Sequence, residues 1–189
     1  MFAAGILAVS FGAGSLVQKN SIQRTNEVTV QTKQKDTGKE KAEKPANFQA
    51  AEALDEAVRI YEEHPAYSQA KRMQEGYVDC SSYVWRCYAK TGIFLGQEEY
   101  APTAAEIARW CQEKGVLQTI SGERGRDRML QPGDLIFYTK RKGNNGRFMN
   151  IAHVSIYIGN GKILHADGDS PAYGVPWYRK AVAIGRPSK

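Results

Sequence analysis

From Leu130 onward the texture of the chain changes to period two, most cleanly from Ile151 to Ile158 (Ile-Ala-His-Val-Ser-Ile-Tyr-Ile), where apolar residues fall at 152, 154, 156 and 158. A chain with that period is a strand with two different faces. Gly159-Asn160-Gly161 then reads as a hairpin turn, followed by strands from Ile163 to Ala166 and near Ala181 to Gly185. Pro132-Gly133-Asp134 turns the chain into an earlier strand, Leu135 to Thr139. Upstream the period is helical. Asn47 reads as an N-cap for a helix with Phe48, Ala51, Leu54, Val58 and Tyr61 at helical spacing, ending before Pro65. A second helix begins at or beside Cys80 and stops at Gly92. Thr103 and Glu106 form a capping box for a third, which carries Ile107, Trp110 and Cys111 to Gly115. Helices followed by hairpin-connected strands predict an α+β fold, N-terminal helices packed on a C-terminal antiparallel β-sheet.

The long strand separates two sets of side chains. Ala152, Val154, Ile156 and Ile158 share one face and make core; His153, Ser155 and Tyr157 share the other. Hairpin register decides whether His165 joins His153. A two-residue Asn160-Gly161 loop sets His165 opposite Ile156, on the core side. A three-residue Gly159-Asn160-Gly161 loop, its last glycine left-handed, sets His165 opposite Ser155. An imidazole buried beside isoleucine needs a polar partner, so the second register is expected. His64, next to Pro65 at a helix end, is expected at the surface.

Cys80 lies in Gly76-Tyr-Val-Asp-Cys-Ser-Ser-Tyr-Val-Trp85, where turn-competent residues give way to the apolar-periodic Val84, Cys87 and Tyr88. A thiol at a helix start meets unpaired backbone N–H groups and the positive end of the helix dipole, which favour the thiolate. A lowered thiol pKa is therefore expected. Cysteine hydrolysis needs a thiol, an imidazole to take its proton and a polar group that fixes the imidazole. Cys80, His153 and His165 supply one each if the polar end of the sheet meets the start of the Cys80 helix in a solvent-facing groove. Cysteine is otherwise a small buried hydrophobe, and Cys111 reads that way. Cys80 and Cys87, on one helix, stand about 10 Å apart along its axis, beyond the span of a disulfide. The sequence has no C-x-x-C and no H-E-x-x-H, so neither structural zinc nor zincin chemistry is expected.

Met1 to Val17 is an uncharged run of small and apolar residues, about 25 Å long as a helix. It reads as a signal peptide or membrane anchor (1–17), with a buried core helix as the alternative. Residues 18–47 are polar and rich in Lys, Gln and Glu, with seven basic residues against four acidic. Such a stretch buries too little to offset its ordering entropy and reads as a disordered tether. The folded domain is expected over 48–189. The net charge of +6 is spread along the chain and not clustered with aromatics, so no nucleic-acid partner is expected. A mild surplus of this kind suits an anionic polymer such as a bacterial wall.

Asp79-Cys80-Ser81-Ser82, then Pro132-Gly133-Asp134-Leu135-Ile136-Phe137-Tyr138, then His153 to Ala166 resemble, in order, the three blocks of the NlpC-type cysteine peptidases. The resemblance covers roughly Phe48 to Arg186. It implies a papain-like fold and hydrolysis of peptidoglycan stem peptides, typically at the bond between D-γ-glutamate and the following diamino acid, without metal or cofactor. It implies Cys80 as nucleophile, His153 as general base and His165 as third polar member of a Cys-His-His triad. It places Asp79, Ser81, Tyr67 and Ser155 as substrate-binding candidates; for Asp79 and Ser81, helix capping is an equal reading. Tyr67 is a candidate for the oxyanion. Two departures stand out: Ser82 replaces a glycine the family often has, and Tyr67-Ser68-Gln69-Ala70 replaces its tyrosine, tryptophan and two glycines. The expected protein is a monomer, exported and wall-associated, touching a membrane only through residues 1–17. An inactive wall-binding or conjugation-associated module, and an amidase or acyltransferase on the same fold, are the alternatives.

Overall fold

The computed structural model of the protein describes residues 43–122 and 126–188, so the expected signal or anchor and most of the expected tether lie outside the described residues. Helix α1 (Phe48–Glu62) starts where expected, with the Asn47 side chain accepting from the Ala50 N–H at 2.9 Å. Its buried face differs from the expected one. Ala50, Ala53, Ala57 and Ile60 point inward while Phe48 is 78% exposed. Alanines let α1 approach closely the helix that carries Cys80, and the Tyr83 hydroxyl of that helix donates to the Ala57 carbonyl at 2.7 Å. Leu54, Val58 and Tyr61 flank the contact, partly buried.

Helix α2 (Cys80–Ala89) begins with Cys80 as its first residue, behind a capping box: the Asp79 side chain accepts from the Ser82 N–H, and the Ser82 hydroxyl accepts from the Asp79 N–H, each at 2.8 Å. Ser82 thereby satisfies a helix-start donor that a glycine at this position leaves to other groups. Helix α3 (Ala104–Glu113) starts with the expected Thr103–Glu106 box and buries Cys111. All three cysteines are free and buried.

Two short strands, β1 (Ala66–Tyr67) and β2 (Tyr77–Val78), pair in parallel ahead of α2. The main sheet holds β3 (Leu117–Thr119), β4 (Leu135–Thr139), β5 (Ile151–Gly159), β6 (Lys162–Ala166), β7 (Pro171–Gly174) and β8 (Ala181–Gly185), in the order β3-β8-β4-β5-β6-β7 with every pairing antiparallel. This is the expected α+β arrangement, with β1, β2, β3 and β7 added. Those four are two to four residues long, too short for alternation to show. The Pro132-Gly133-Asp134 turn is a fixed corner. Arg186 grips Asp134 with two bonds of 2.7 and 2.8 Å, and the Tyr88 hydroxyl donates to the Gly133 carbonyl.

The helices cover one face of the sheet, where Val154, Ile156 and Leu164 join their core. The other face is covered too. Ile136, Tyr138, Tyr157, Ile163 and Ile184 pack there under Trp177 and Tyr178. The second face of β5 is therefore a second, smaller core and not an open groove. At its far end the expected tether is already attached: Glu43 accepts from the Tyr157 hydroxyl at 2.9 Å, and Asn47 donates to the Ser188 carbonyl. Glu43 and Asn47 thus contact the domain ahead of Phe48.

Candidate active site

Hairpin register sets the site. Ile156 pairs with Leu164 and Tyr157 with Ile163, which carries His165 opposite Ser155 as expected. The device is not the expected three-residue loop. Gly159 pairs with Lys162 across a two-residue turn in which Asn160 and Gly161 both have positive φ (50° and 67°), and a bulge between Tyr157 and Gly159 takes up the extra residue. Gly159 sits in that bulge at φ 94°. A bulge shifts parity by one, and parity is what brings the two imidazoles to one face.

His153 Nε2 and His165 Nδ1 lie 3.0 Å apart, with the rings nearly perpendicular at 84°. Both rings are almost covered, at 3% and 7% exposure. They are hydrogen-bonded on the sheet face away from the helices, beside Tyr138 and Tyr178, so the pair is covered and does not line the solvent-facing groove expected. The Tyr178 hydroxyl also reaches His165 Nδ1, at 3.1 Å. With the Tyr178 hydroxyl as donor, His165 Nδ1 is an acceptor for both neighbours, which puts the His153 proton on Nε2 and leaves its Nδ1 as the basic nitrogen. Gly174 makes the room, since a Cβ there would stand 3.2 Å from His165 Nε2.

Cys80, 7% exposed, reaches the same region from the helix side. Its α2 helix packs on β5 and β6, and the thiol lies against the backbone N–H of Val154, the residue after His153, and that of Ser81. Burial, then the neighbouring Asp79 carboxylate, push the thiol up to about 12 despite those N–H groups and Arg72. Burial, then His165 and Arg179, push His153 down to about 3. His165 is lowered by burial and Arg179, with Asp167 pulling the other way. The expectation of a lowered thiol pKa is thus corrected: burial outweighs the helix start and raises the thiol.

The remaining expected residues divide. Tyr67 is half-buried on β1, which the β1–β2 pairing sets beside Val78, two residues before Cys80. Burial raises its hydroxyl, and Cys80, Asp79 and Asp167 are near enough to raise it further. Asp79 is 2% exposed and occupied: Oδ1 accepts from Ser82 N–H and the Ser81 hydroxyl, and Oδ2 stands 3.1 Å from Arg72 Nη1. Asp79 and Ser81 therefore build the helix start. Ser155 is fully buried, 2.9 Å from the Tyr138 hydroxyl, which itself donates to the Pro176 carbonyl. It braces the segment ahead of Tyr178.

Sequence reasoning missed Arg72, Asp167, Tyr178 and Arg179. Arg72 had no local signal. Trp177-Tyr178-Arg179-Lys180, aromatics followed by cations ahead of a strand, was a signal not used. Among the described residues, His153, His165 and Asp167 bring one ligand atom each within 4.8 Å of one another. The two ring nitrogens are engaged with each other, and Asp167 pairs with Arg179 at 2.7 Å, so a metal would have to displace both bonds.

A thiol at a helix start and a histidine pair on adjoining strands of an antiparallel sheet fit the papain-like α+β fold. The sequence model of the NlpC/P60 family matches residues 66–182, and the chain belongs to that family. It is 30% identical over 112 residues to "Probable endopeptidase p60" of Listeria welshimeri, covering 57% of this chain and 17% of that protein. The same name, identity and length of match hold for Listeria monocytogenes, with 18% of that protein covered. The chain thus spans less than a fifth of the length of these relatives. Among solved structures, NlpC1 of Trichomonas vaginalis shares the fold at TM-score 0.56 and 21% identity, over 76% of this chain and 45% of that one. RipD of Mycobacterium tuberculosis, described as a non-catalytic NlpC/p60 domain protein adapted to peptidoglycan binding, aligns at TM-score 0.50 and 16% identity, over 74% and 98%.

Proposed function

We propose that the chain is a cell-wall cysteine endopeptidase that hydrolyses peptidoglycan stem peptides at the D-γ-glutamyl to diamino acid bond, with Cys80, His153 and His165 as its triad. The observation that carries this reading is the 3.0 Å bond between His153 Nε2 and His165 Nδ1, which leaves His153 Nδ1 as the base on the strand whose next residue touches the thiol. His153 Nδ1 takes the Cys80 proton as the sulfur attacks the scissile carbonyl carbon. The imidazolium that forms is stabilised by His165 Nδ1, an acceptor already in place. The oxyanion is received by the Cys80 backbone N–H and the Tyr67 hydroxyl. His153 then protonates the leaving amine, a thioester remains on Cys80, and water activated by His153 releases the acid. Moving charge within a covered site limits the solvent rearrangement needed in each step.

Residues 1–17 act in this reading as an export signal or anchor, residues 18 to about 42 as a tether, and the catalytic body follows as a monomer at the wall. The test is digestion of purified wall with the intact chain, followed by mass spectrometry. New amines on the diamino acid, absent with Cys80→Ala, support the endopeptidase. Cleavage beside the muramyl lactate assigns an amidase, and a digest unchanged by either chain assigns a binding module.

A further inference from the structure

Beyond the triad lies a cleft of about 440 Å³ whose walls include Lys140, Arg141, Tyr178, Arg179 and Lys180. Its cations come from two segments held together by the sheet: the Thr139 N–H donates to the Lys180 carbonyl at 3.1 Å, and the Lys140 N–H to the Asn150 carbonyl at 2.9 Å. The glycine- and asparagine-rich loop between β4 and β5 is fixed by its own side chains. Asn150 accepts from the Asn145 N–H at 2.8 Å and donates to the Gly143 carbonyl at 3.0 Å, while Asn145 donates to the Ile151 carbonyl at 2.9 Å. A loop stapled in this way holds Lys140 and Arg141 beside Arg179 and Lys180. Asp167 answers only Arg179. Lys140, Arg141 and Lys180 have no carboxylate partner among the described residues, and the Arg179 Nε is buried without a hydrogen bond. Four cations facing one acid in a concave site form an anion receptor.

Its position narrows the anion. Tyr178 is shared, because its hydroxyl touches His165 and its ring underlies the Arg179 guanidinium at 5.2 Å. The His165 and Tyr178 ring centres are 5.0 Å apart. The cleft therefore begins about 10 Å or less from the histidine pair, a distance an extended peptide covers in about three residues. Resting on the endopeptidase reading above, we infer that this cleft is a subsite for a free carboxylate of the stem peptide, one to three residues from the scissile bond. Guanidinium groups favour such a planar two-oxygen anion.

The test uses a stem peptide whose free carboxylates are converted to carboxamides one at a time. Wild-type kcat/KM is expected to fall about tenfold or more for one of these peptides, through KM, as for the loss of one charge-assisted contact. An Arg141→Gln, Lys180→Gln double variant is expected to lose about as much on the free-carboxylate peptide and to match wild type on that carboxamide. Indifference of wild type to every carboxamide, or an equal slowing of the double variant on all peptides, overturns the subsite. Calorimetry of the same peptides with Cys80→Ala reads binding without cleavage. Carboxylate preference in binding with no turnover by wild type would sink the endopeptidase reading and leave the subsite standing. Turnover without preference would do the reverse. Tighter retention of a poly(glycerol phosphate) than of the peptide, lost in the double variant, overturns the choice of carboxylate.

Discussion

In the proposed reaction, single residues divide between those that react and those that hold the reacting groups still. Cys80 and His153 are both pushed toward neutrality by burial, to about 12 and about 3. Alkylation of Cys80 by iodoacetamide should accordingly stay slow through neutral pH and accelerate only in the alkaline range; a fast plateau near pH 6 would show a resting ion pair instead. In the proposed site Tyr178 acts through His165, which its hydroxyl touches. Tyr178→Phe keeps the ring contact with Tyr138, 5.2 Å between centres, but removes the hydroxyl from His165 Nδ1. It is expected to lower kcat about tenfold with KM little changed and stability reduced by about 1 kcal/mol. A matching loss in KM, or an altered pH profile with no loss in kcat, would contradict a positioning role. Asp79 offers the reverse contrast. Asp79→Ala strips the cap and leaves Arg72, 8% exposed, without its carboxylate, so denaturant titration should show a loss of about 3–5 kcal/mol. Unchanged stability with a raised KM would restore Asp79 to the substrate.

Elements that announce themselves in sequence do so through caps and periods. The starts of α1, α2 and α3 were legible because Asn47, Asp79 and Thr103 are capping residues in front of apolar periodicity. The long strand β5 and its partner β6 were legible through alternation, and the His165 register through the cost of burying an unpartnered imidazole. The phase of α1 was not. Sequence periodicity weighs Phe48 above Ala50, whereas close helix approach selects the alanines. The bulge at Gly159 was also hidden, because a three-residue loop and a bulged two-residue turn give the same parity and differ only in φ. Strands of two to four residues, and the second core beneath Trp177 and Tyr178, depend on partners far along the chain. Of the candidate site, the register that joins His165 to His153 and the placing of Cys80 at a helix start were legible. Arg72 and Ser155, whose roles come from tertiary contacts, were not.

At the scale of the molecule, the sheet is covered on both faces and the two imidazoles are buried with it. That placement has a thermodynamic signature. The folded pKa values of His153 and His165 lie below the ordinary 6.5, so as pH falls through 6.5 the unfolded chain binds protons that the folded chain refuses, and stability drops. The Cys80, Cys87 and Cys111 thiols lie above the ordinary 9.0, so above pH 9 the unfolded chain sheds protons that the folded chain keeps, and stability drops again. Thermal melts should therefore show a plateau between about pH 6.5 and 9, and His153→Gln should flatten the acidic side. A melting temperature that rises on acidification would contradict the burial of the histidines. Function at this scale reduces to whether sulfur carries the acyl group. The most direct test is an acid quench of the full chain during turnover of a stem peptide, followed by mass spectrometry of its cysteine-containing fragments. The account predicts a thioester adduct on the fragment holding Cys80, absent from those holding Cys87 and Cys111 and lost with His153→Ala. Cleavage that proceeds in Cys80→Ala, or turnover with no adduct on Cys80, would contradict it.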